Sequence, residues 1–130
     1  MKGLFISGLL LLSGFFAQAQ YKFLANNCSN QYKVKVFVAN CDGGTCGGKA
    51  TLILYDNITD KEIETFHSVD LEFNLTEKQN AKLDWLELGK YQSPLIFGDF
   101  NFDGFEDMAI RNGSRGAHSS PSYDVYLASS

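Results

Sequence analysis

Strict alternation of apolar and polar residues is the feature that most constrains this fold. In YKVKVFVANC, Tyr32 and the valines at positions 34, 36 and 38 share one face, and lysines 33 and 35 begin the other. A period of two residues predicts a β-strand with one solvated face. The glycine-rich CDGGTCGG that follows predicts a turn. ATLILYD, residues 50–56, then predicts the return strand of a hairpin.

Further short segments of the chain also predict strands. They are residues 61–69, DLEFNL, the part of SPLIFGDF that follows Pro94, residues 108–111, and SYDVYLA. TEKQNAKLDWLEL fits both a short helix and a strand, and we interpret it as a loop leading into a short element. The predicted class is therefore all-β, an antiparallel sheet of short strands, because turn signals separate the segments and convincing helices are scarce.

The first 19 residues predict a cleaved secretory signal peptide. Lys2 precedes the thirteen-residue run LFISGLLLLSGFF, and the small-x-small sequence AQA follows. A membrane anchor is the alternative, but a span needs about 20 apolar residues. We expect a periplasmic or secreted protein whose single domain comprises residues 20–130. Without Lys2 this domain has a net charge of −5 and no basic patch, which argues against nucleic-acid binding.

Three cysteines lie in the exported part of the chain, where disulfides are permitted. Cys41 and Cys46 flank DGGT, so we predict a small bridge across this turn. Their spacing is not typical of a zinc site. Cys28 is either free or paired with a cysteine outside this sequence.

The acidic stretch FGDFNFDGFEDMAI predicts a calcium loop. Counted from Asp99, oxygen-bearing side chains fall at positions 1, 3, 5 and 9, which are Asp99, Asn101, Asp103 and Asp107. A glycine at position 6 permits a sharp turn, and the carbonyl of Phe105 at position 7 completes the predicted ligands. We expect the phenylalanines of the loop to face the core.

This loop differs from an EF-hand, because position 12 is Ile110 instead of glutamate and strands are predicted on both sides. The spacing resembles the loops of integrin-type FG-GAP repeats. The alternative is an acidic surface turn without metal, in which the carboxylates would repel one another.

The segment FGDFNFDGFEDMAIRNGSRGAHSSPSYDVYLAS resembles a family of small exported bacterial proteins. This family includes periplasmic immunity proteins against type IV-secreted peptidoglycan hydrolases, and it is similar to periplasmic inhibitors of invertebrate-type lysozyme. The resemblance is specific over residues 97–127 and loose over residues 34–88. It implies a calcium-binding, β-rich protein that inhibits a lysozyme-like hydrolase and is not an enzyme.

The resemblance also assigns a partner-facing loop to residues 112–121. The expected partner-binding residues within and beside it are Ser114, Arg115, His118, Ser119 and Tyr123. Members of the family continue beyond YDVYL, so the resemblance further implies a chain truncated after Ser130.

Two other functions remain open at this stage. A calcium-stabilised adhesion or carbohydrate-binding module of FG-GAP type is the main alternative. An enzyme is less well supported, because no nucleophile elbow occurs and the best carboxylate cluster is the calcium loop.

Overall fold

The structure is a computed structural model that describes residues 21–25, 28–75 and 94–129. The predicted signal peptide and the ambiguous segment TEKQNAKLDWLEL lie outside these residues. No helix in the described ranges is both long and apolar enough to cross a membrane.

The first sheet is built around a long antiparallel hairpin. Its strands are β1 (Tyr21–Ala25), β2 (Tyr32–Asp42), β3 (Thr45–Asp56), β4 (Glu62–Ser68) and the two-residue β5 (Phe73–Asn74). The order is β1-β2-β3-β4, and β5 pairs with the start of β3. In the β2–β3 hairpin Val36 lies opposite Leu52, and both are fully buried. The alternation in YKVKVFVANC therefore sets the hairpin register, since a slip of one residue would turn these valines to solvent.

The second sheet has three antiparallel strands in the order β6-β7-β8. They are β6 (Leu95–Gly98), β7 (Asp107–Arg111) and β8 (Tyr123–Tyr126). All five residues of the central strand β7 are buried. A short turn (Ala117–Ser119), in which His118 has a left-handed backbone, lies in the connection from β7 to β8.

The two sheets share one hydrophobic core. Leu95, Met108 and Ile110 of the second sheet belong to the same buried cluster as the inward residues of β1 to β4. Phe66 on β4 packs against Tyr126 on β8, with ring centroids 4.6 Å apart. Burial of this shared apolar surface is the main force that holds the sheets together.

Hydrogen bonds join the sheets where β4 and β7 end. The hydroxyl of Ser68 donates to the carbonyl of Arg111 at 2.7 Å, and the amide of Gly113 donates to the carbonyl of Asp70 at 2.9 Å. These bonds satisfy backbone groups that the strands leave unpaired. They fix the start of the β7–β8 loop against the first sheet.

The predicted all-β class and the hairpin are confirmed, but two strand details differ. DLEFNL buries Leu71 and Phe73 as its alternation indicates, yet only Phe73 and Asn74 pair as a strand. In β4 the alternating set Ile63, Thr65 and His67 faces solvent, and Phe66 is the buried residue of this strand's centre. The second sheet covers only one face of β4, which local sequence does not reveal.

Candidate metal centre

The acidic loop connects β6 to β7. Gly98 at the end of β6 pairs with Asp107 at the start of β7, so the hairpin brings the first and last predicted ligands of the loop together. Strands flank the loop on both sides, as predicted. The positions of Asp99 and Asp107 thus follow from sheet register, because each is placed by a paired strand end.

Three carboxylates converge in this loop. One oxygen from each of Asp99, Asp103 and Asp107 lies within 4.8 Å of the others. Calcium binds oxygen at about 2.3–2.6 Å, so ligands on opposite sides of the ion are about 5 Å apart. The three oxygens therefore lie at separations that one bound cation permits. Exposed acidic groups are also common in proteins without a bound ion, and this convergence therefore defines a candidate site whose occupancy is tested by ion binding.

Asp99 organises the turn of the loop. Its two carboxylate oxygens accept hydrogen bonds from the amides of Asp103, at 3.1 Å, and Gly104, at 2.8 Å. Gly104 has a φ of +88°, which residues with a β-carbon rarely adopt, as the predicted sharp turn requires. Phe102 also has a positive φ, of 58°. The backbone of the loop is thus folded around the first aspartate.

Asp107 is the buried member of the cluster, with only 1% of its surface exposed. One carboxylate oxygen accepts from the amide of Phe100 at 2.9 Å, and the other accepts from the amide of Ala128 at 2.7 Å. Each oxygen has two lone pairs, so both can accept these bonds and still face a cation. Asp107 therefore connects the loop to the chain that follows β8.

The other two predicted ligands lie in the same loop, but the structure does not test their role. The side-chain amide of Asn101 donates to Asp103 at 3.2 Å, and the backbone amide of Phe105 donates to Asp103 at 3.0 Å. Coordination by Asn101 and by the carbonyl of Phe105 stays a prediction.

The prediction that the loop phenylalanines face the core is wrong. Phe102 is 92% exposed, and Phe100 and Phe105 are 40% and 42% exposed. Residues 100 to 105 are all exposed, so this part of the loop lies outside the core. The aromatic residue that does pack is Phe97 on β6, which stacks on Tyr32.

The acidic loop has no basic partner among the described residues. The ion pair among the described residues joins Lys33 to Asp60, and neither residue belongs to the acidic loop. Glu106, next to Asp107, accepts a hydrogen bond from the hydroxyl of Ser29. Amides donate to these carboxylates, but no cationic side chain in the described part of the chain offsets their mutual repulsion, and a bound cation would relieve it.

The predicted disulfide is confirmed. Cys41 and Cys46 are bonded and lie opposite each other at the end of the β2–β3 hairpin. Cys28 is free, and its thiol lies 3.5 Å from the carbonyl of Ala25. Burial raises the pKa of the Cys28 thiol from 9.0 to about 11, to which the charge of Glu106 adds.

The predicted partner-binding residues fall on or beside one loop. Ser114, Arg115, His118 and Ser119 are exposed, and half-buried Tyr123 begins β8 at the base of the loop. The amide of residue 112 donates to the carbonyl of residue 122 at 2.8 Å and closes this base. His118 and Ser119 both have left-handed backbones, with φ of 57° and 61°. Consecutive left-handed residues other than glycine are uncommon and often occur in functional loops.

Sequence reasoning missed the role of Arg111. This residue is buried at the end of β7, and its guanidinium donates to the carbonyl of Glu72 at 3.3 Å and to the hydroxyl of Ser114 at 3.1 Å. It links the segment that precedes β5 to the loop between β7 and β8. One arginine after an apolar run carries no signal for such a role.

Comparison with family models, curated proteins and solved structures gave no match.

Proposed function

We propose that this protein is an exported, calcium-binding β-domain that inhibits a peptidoglycan hydrolase of the lysozyme type in the periplasm or outside the cell. The observation that carries the proposal is the convergence of three aspartates at the positions of the D-x-N-x-D-G pattern. The resemblance of residues 97–127 to hydrolase immunity proteins supplies the partner class.

Calcium is the proposed ion because all available side-chain ligands are oxygens. Hard cations prefer carboxylate, carbonyl and amide oxygens, whereas zinc sites in proteins use mainly histidine and cysteine. Calcium also accepts irregular geometry, which suits a loop with ligands at alternate positions. Extracellular calcium modules bind the ion with dissociation constants of about 10⁻⁴–10⁻³ M, and we expect this range here.

The proposed ion lies at one end of β7 and the partner-facing loop begins at the other. Asp107 opens this strand, and Asn112 follows its last residue. Neutralising the acidic loop would hold the β6–β7 hairpin and, through Asp107, the chain at Ala128. We therefore assign calcium a structural role that keeps β7 and β8 paired beneath the loop.

Inhibition is proposed to occur through the exposed loop. Arg115 and His118 carry the hydrogen-bond donors suited to a hydrolase cleft, whose catalytic residues are carboxylates. A side chain that enters such a cleft pairs with these carboxylates and excludes the glycan. The proposal includes no catalysis by this protein.

A glycan-binding module is the second candidate. The observation that favours it is the exposed aromatic set Phe100, Phe102 and Phe105 within the acidic loop. Exposed aromatic side chains are large apolar contact surfaces and mark interaction sites when they cluster.

One experiment separates the two functions. The mature protein is added to muramidases that digest peptidoglycan in about 10 mM calcium, which is about tenfold above the weakest expected dissociation constant. The same assay in EDTA is the comparison. We expect inhibition that Arg115→Ala weakens about tenfold and that Lys61→Ala, an exposed cation in another turn, leaves unchanged. Equal inhibition by both variants would contradict the loop assignment. Failure to inhibit any muramidase, combined with sedimentation on insoluble peptidoglycan that Phe102→Ala abolishes, would favour the glycan-binding module.

A further inference from the structure

A groove opens between the two sheets on the side formed by β4 and β8. Its volume is about 520 Å³, within the range of ligand-binding clefts. We call it the β4–β8 groove. Its lining includes Ile63, Glu64, Glu106, Val125, Tyr126 and Leu127.

Both strands at this groove are edge strands within the described part of the chain, since β4 pairs only with β3 and β8 only with β7. The hydrogen bonds of β7 show which backbone groups of β8 face outward. The amide of Arg111 donates to Pro94 on the β6 side, and that of Asn112 donates to Ser122 on the β8 side. This alternation places the amide and carbonyl of Val125, opposite Ala109, away from β7. Among the described residues no strand pairs with these outward groups of Val125, so they can accept another strand.

The rim of the groove is apolar. Val125 is 54% exposed, Leu127 is 59% exposed, and Ile63 on β4 is also exposed. Exposed apolar side chains along an open edge mark a site of strand addition or aggregation. The rim thus offers hydrophobic contact to a chain that lies along β8.

The charge of the groove is negative. Glu64 and Glu106 line it, and no lysine or arginine occurs among the described lining residues. Burial raises the pKa of Tyr126 above its ordinary value, and the negative charges of Asp124 and Glu64 raise it further. The negative charge of Glu64 thus raises the pKa of Tyr126, which also lines the groove. An occupant that places a cation near Glu64 and Glu106 would be favoured by charge complementarity.

We propose that the β4–β8 groove binds an extended polypeptide segment of a partner protein, which pairs with β8 as a fourth strand and places basic side chains toward Glu64 and Glu106. Strand addition supplies backbone hydrogen bonds, and alternate side chains supply specificity. Apolar residues of the same segment contact Val125 and Leu127. A second copy of this chain fits less well, because it would bring its own Asp124 and Glu64 against these carboxylates. The site is separate from the partner-facing loop, and the inference does not depend on the proposed function.

The test uses two labelled peptides, acetyl-Lys-Val-Lys-Val-Lys-Val-amide and its counterpart with glutamate in place of lysine, titrated with the full mature protein by fluorescence anisotropy. We expect only the basic peptide to bind, and more weakly at high salt. Glu64→Gln combined with Glu106→Gln should weaken binding about tenfold. Glu62→Gln, on β4 but outside the described lining of the groove, is the matched control.

A second pair of variants tests strand addition itself. Val125→Pro removes the outward amide without removing a bond to β7, so it should abolish peptide binding, whereas Val125→Thr should preserve it. Thermal melting checks that each variant is folded, and the glutamate variants stand if the proline variant does not fold. Equal binding of both peptides, unchanged binding by the double glutamine variant, or sedimentation of the protein as a dimer that Val125→Pro dissociates would each overturn the proposal.

Discussion

Replacing Asp107 by asparagine separates the structural role of this residue from its proposed role as a ligand. The carboxylate accepts one hydrogen bond on each oxygen, from the amides of Phe100 and Ala128, and it is almost fully buried. Asparagine has the same shape but only one oxygen. Its NH₂ group would face one of the two amide donors, so one bond is lost and two donors meet in a buried site.

The expected cost follows from these contacts. A hydrogen bond to a charged group contributes about 1.5–3 kcal/mol, and a buried donor without an acceptor adds to the loss. We expect the free energy of unfolding to fall by about 2–3 kcal/mol even without calcium. For a domain near 100 residues this lowers the melting temperature by about 8–20 °C.

Asp103→Asn is the matched control, because Asp103 is exposed and its bonds are confined to the loop. We expect its free energy of unfolding in chelator to change by less than about 1 kcal/mol. Both variants should bind calcium more weakly than the original protein. Chemical denaturation followed by tryptophan fluorescence and circular dichroism in EDTA measures the comparison. If Asp107→Asn unfolds at the same denaturant concentration as the original protein, the assignment of Asp107 as a buried structural acceptor is refuted.

Three further predictions concern groups outside the acidic loop. At pH 8 the Cys28 thiol of the folded protein should react with maleimide about 100-fold more slowly than a thiol of pKa 9.0, because its pKa is about 11. The stability that comes from keeping this thiol protonated is present below pH 9 and is lost as the pH rises toward 11. Equal maleimide reaction rates in folded and urea-unfolded protein would contradict the burial of Cys28. Replacing Cys41 and Cys46 together by alanine should lower the free energy of unfolding by about 2 kcal/mol, the chain-entropy value for such a short loop, and an unchanged denaturation midpoint would contradict this value. Hydrogen bonds from the backbone amides of Thr59 and Ile58 lower the pKa of the Asp56 carboxyl in the folded protein. The ionised carboxylate therefore stabilises the fold above its ordinary pKa, and this stabilisation is lost as the pH falls through the lowered pKa. Asp56→Ala should therefore reduce the difference in the free energy of unfolding between pH 6 and pH 2. If denaturation at the two pH values shows the same difference as in the original protein, these hydrogen bonds to Asp56 do not stabilise the fold.

The sequence predicted the hairpin and the acidic loop because both depend on local spacing. Alternation around Val36 defines which face of β2 is buried, and DGGT defines the turn that places Cys41 opposite Cys46. The positions of Asp99 and Asp103 within one short loop likewise follow from their separation along the chain.

Features that depend on the second sheet were not predictable in the same way. The burial of Phe66 instead of its neighbours Thr65 and His67 follows from β8 packing against β4. The role of Arg111 depends on Glu72, which is 39 residues away along the chain. The loop phenylalanines were expected to point away from the ion and into the core, but the loop extends beyond the edge of the core and leaves them exposed.

A calcium titration of the mature protein by calorimetry, combined with melting curves in EDTA and in 10 mM calcium, tests the central claim most directly. We predict heat from one site with a dissociation constant of about 10⁻⁴–10⁻³ M. At 10 mM calcium this affinity would stabilise the folded state by about 1.4–2.7 kcal/mol and raise the melting temperature correspondingly. Absence of binding heat together with identical melting temperatures in EDTA and calcium would contradict the account.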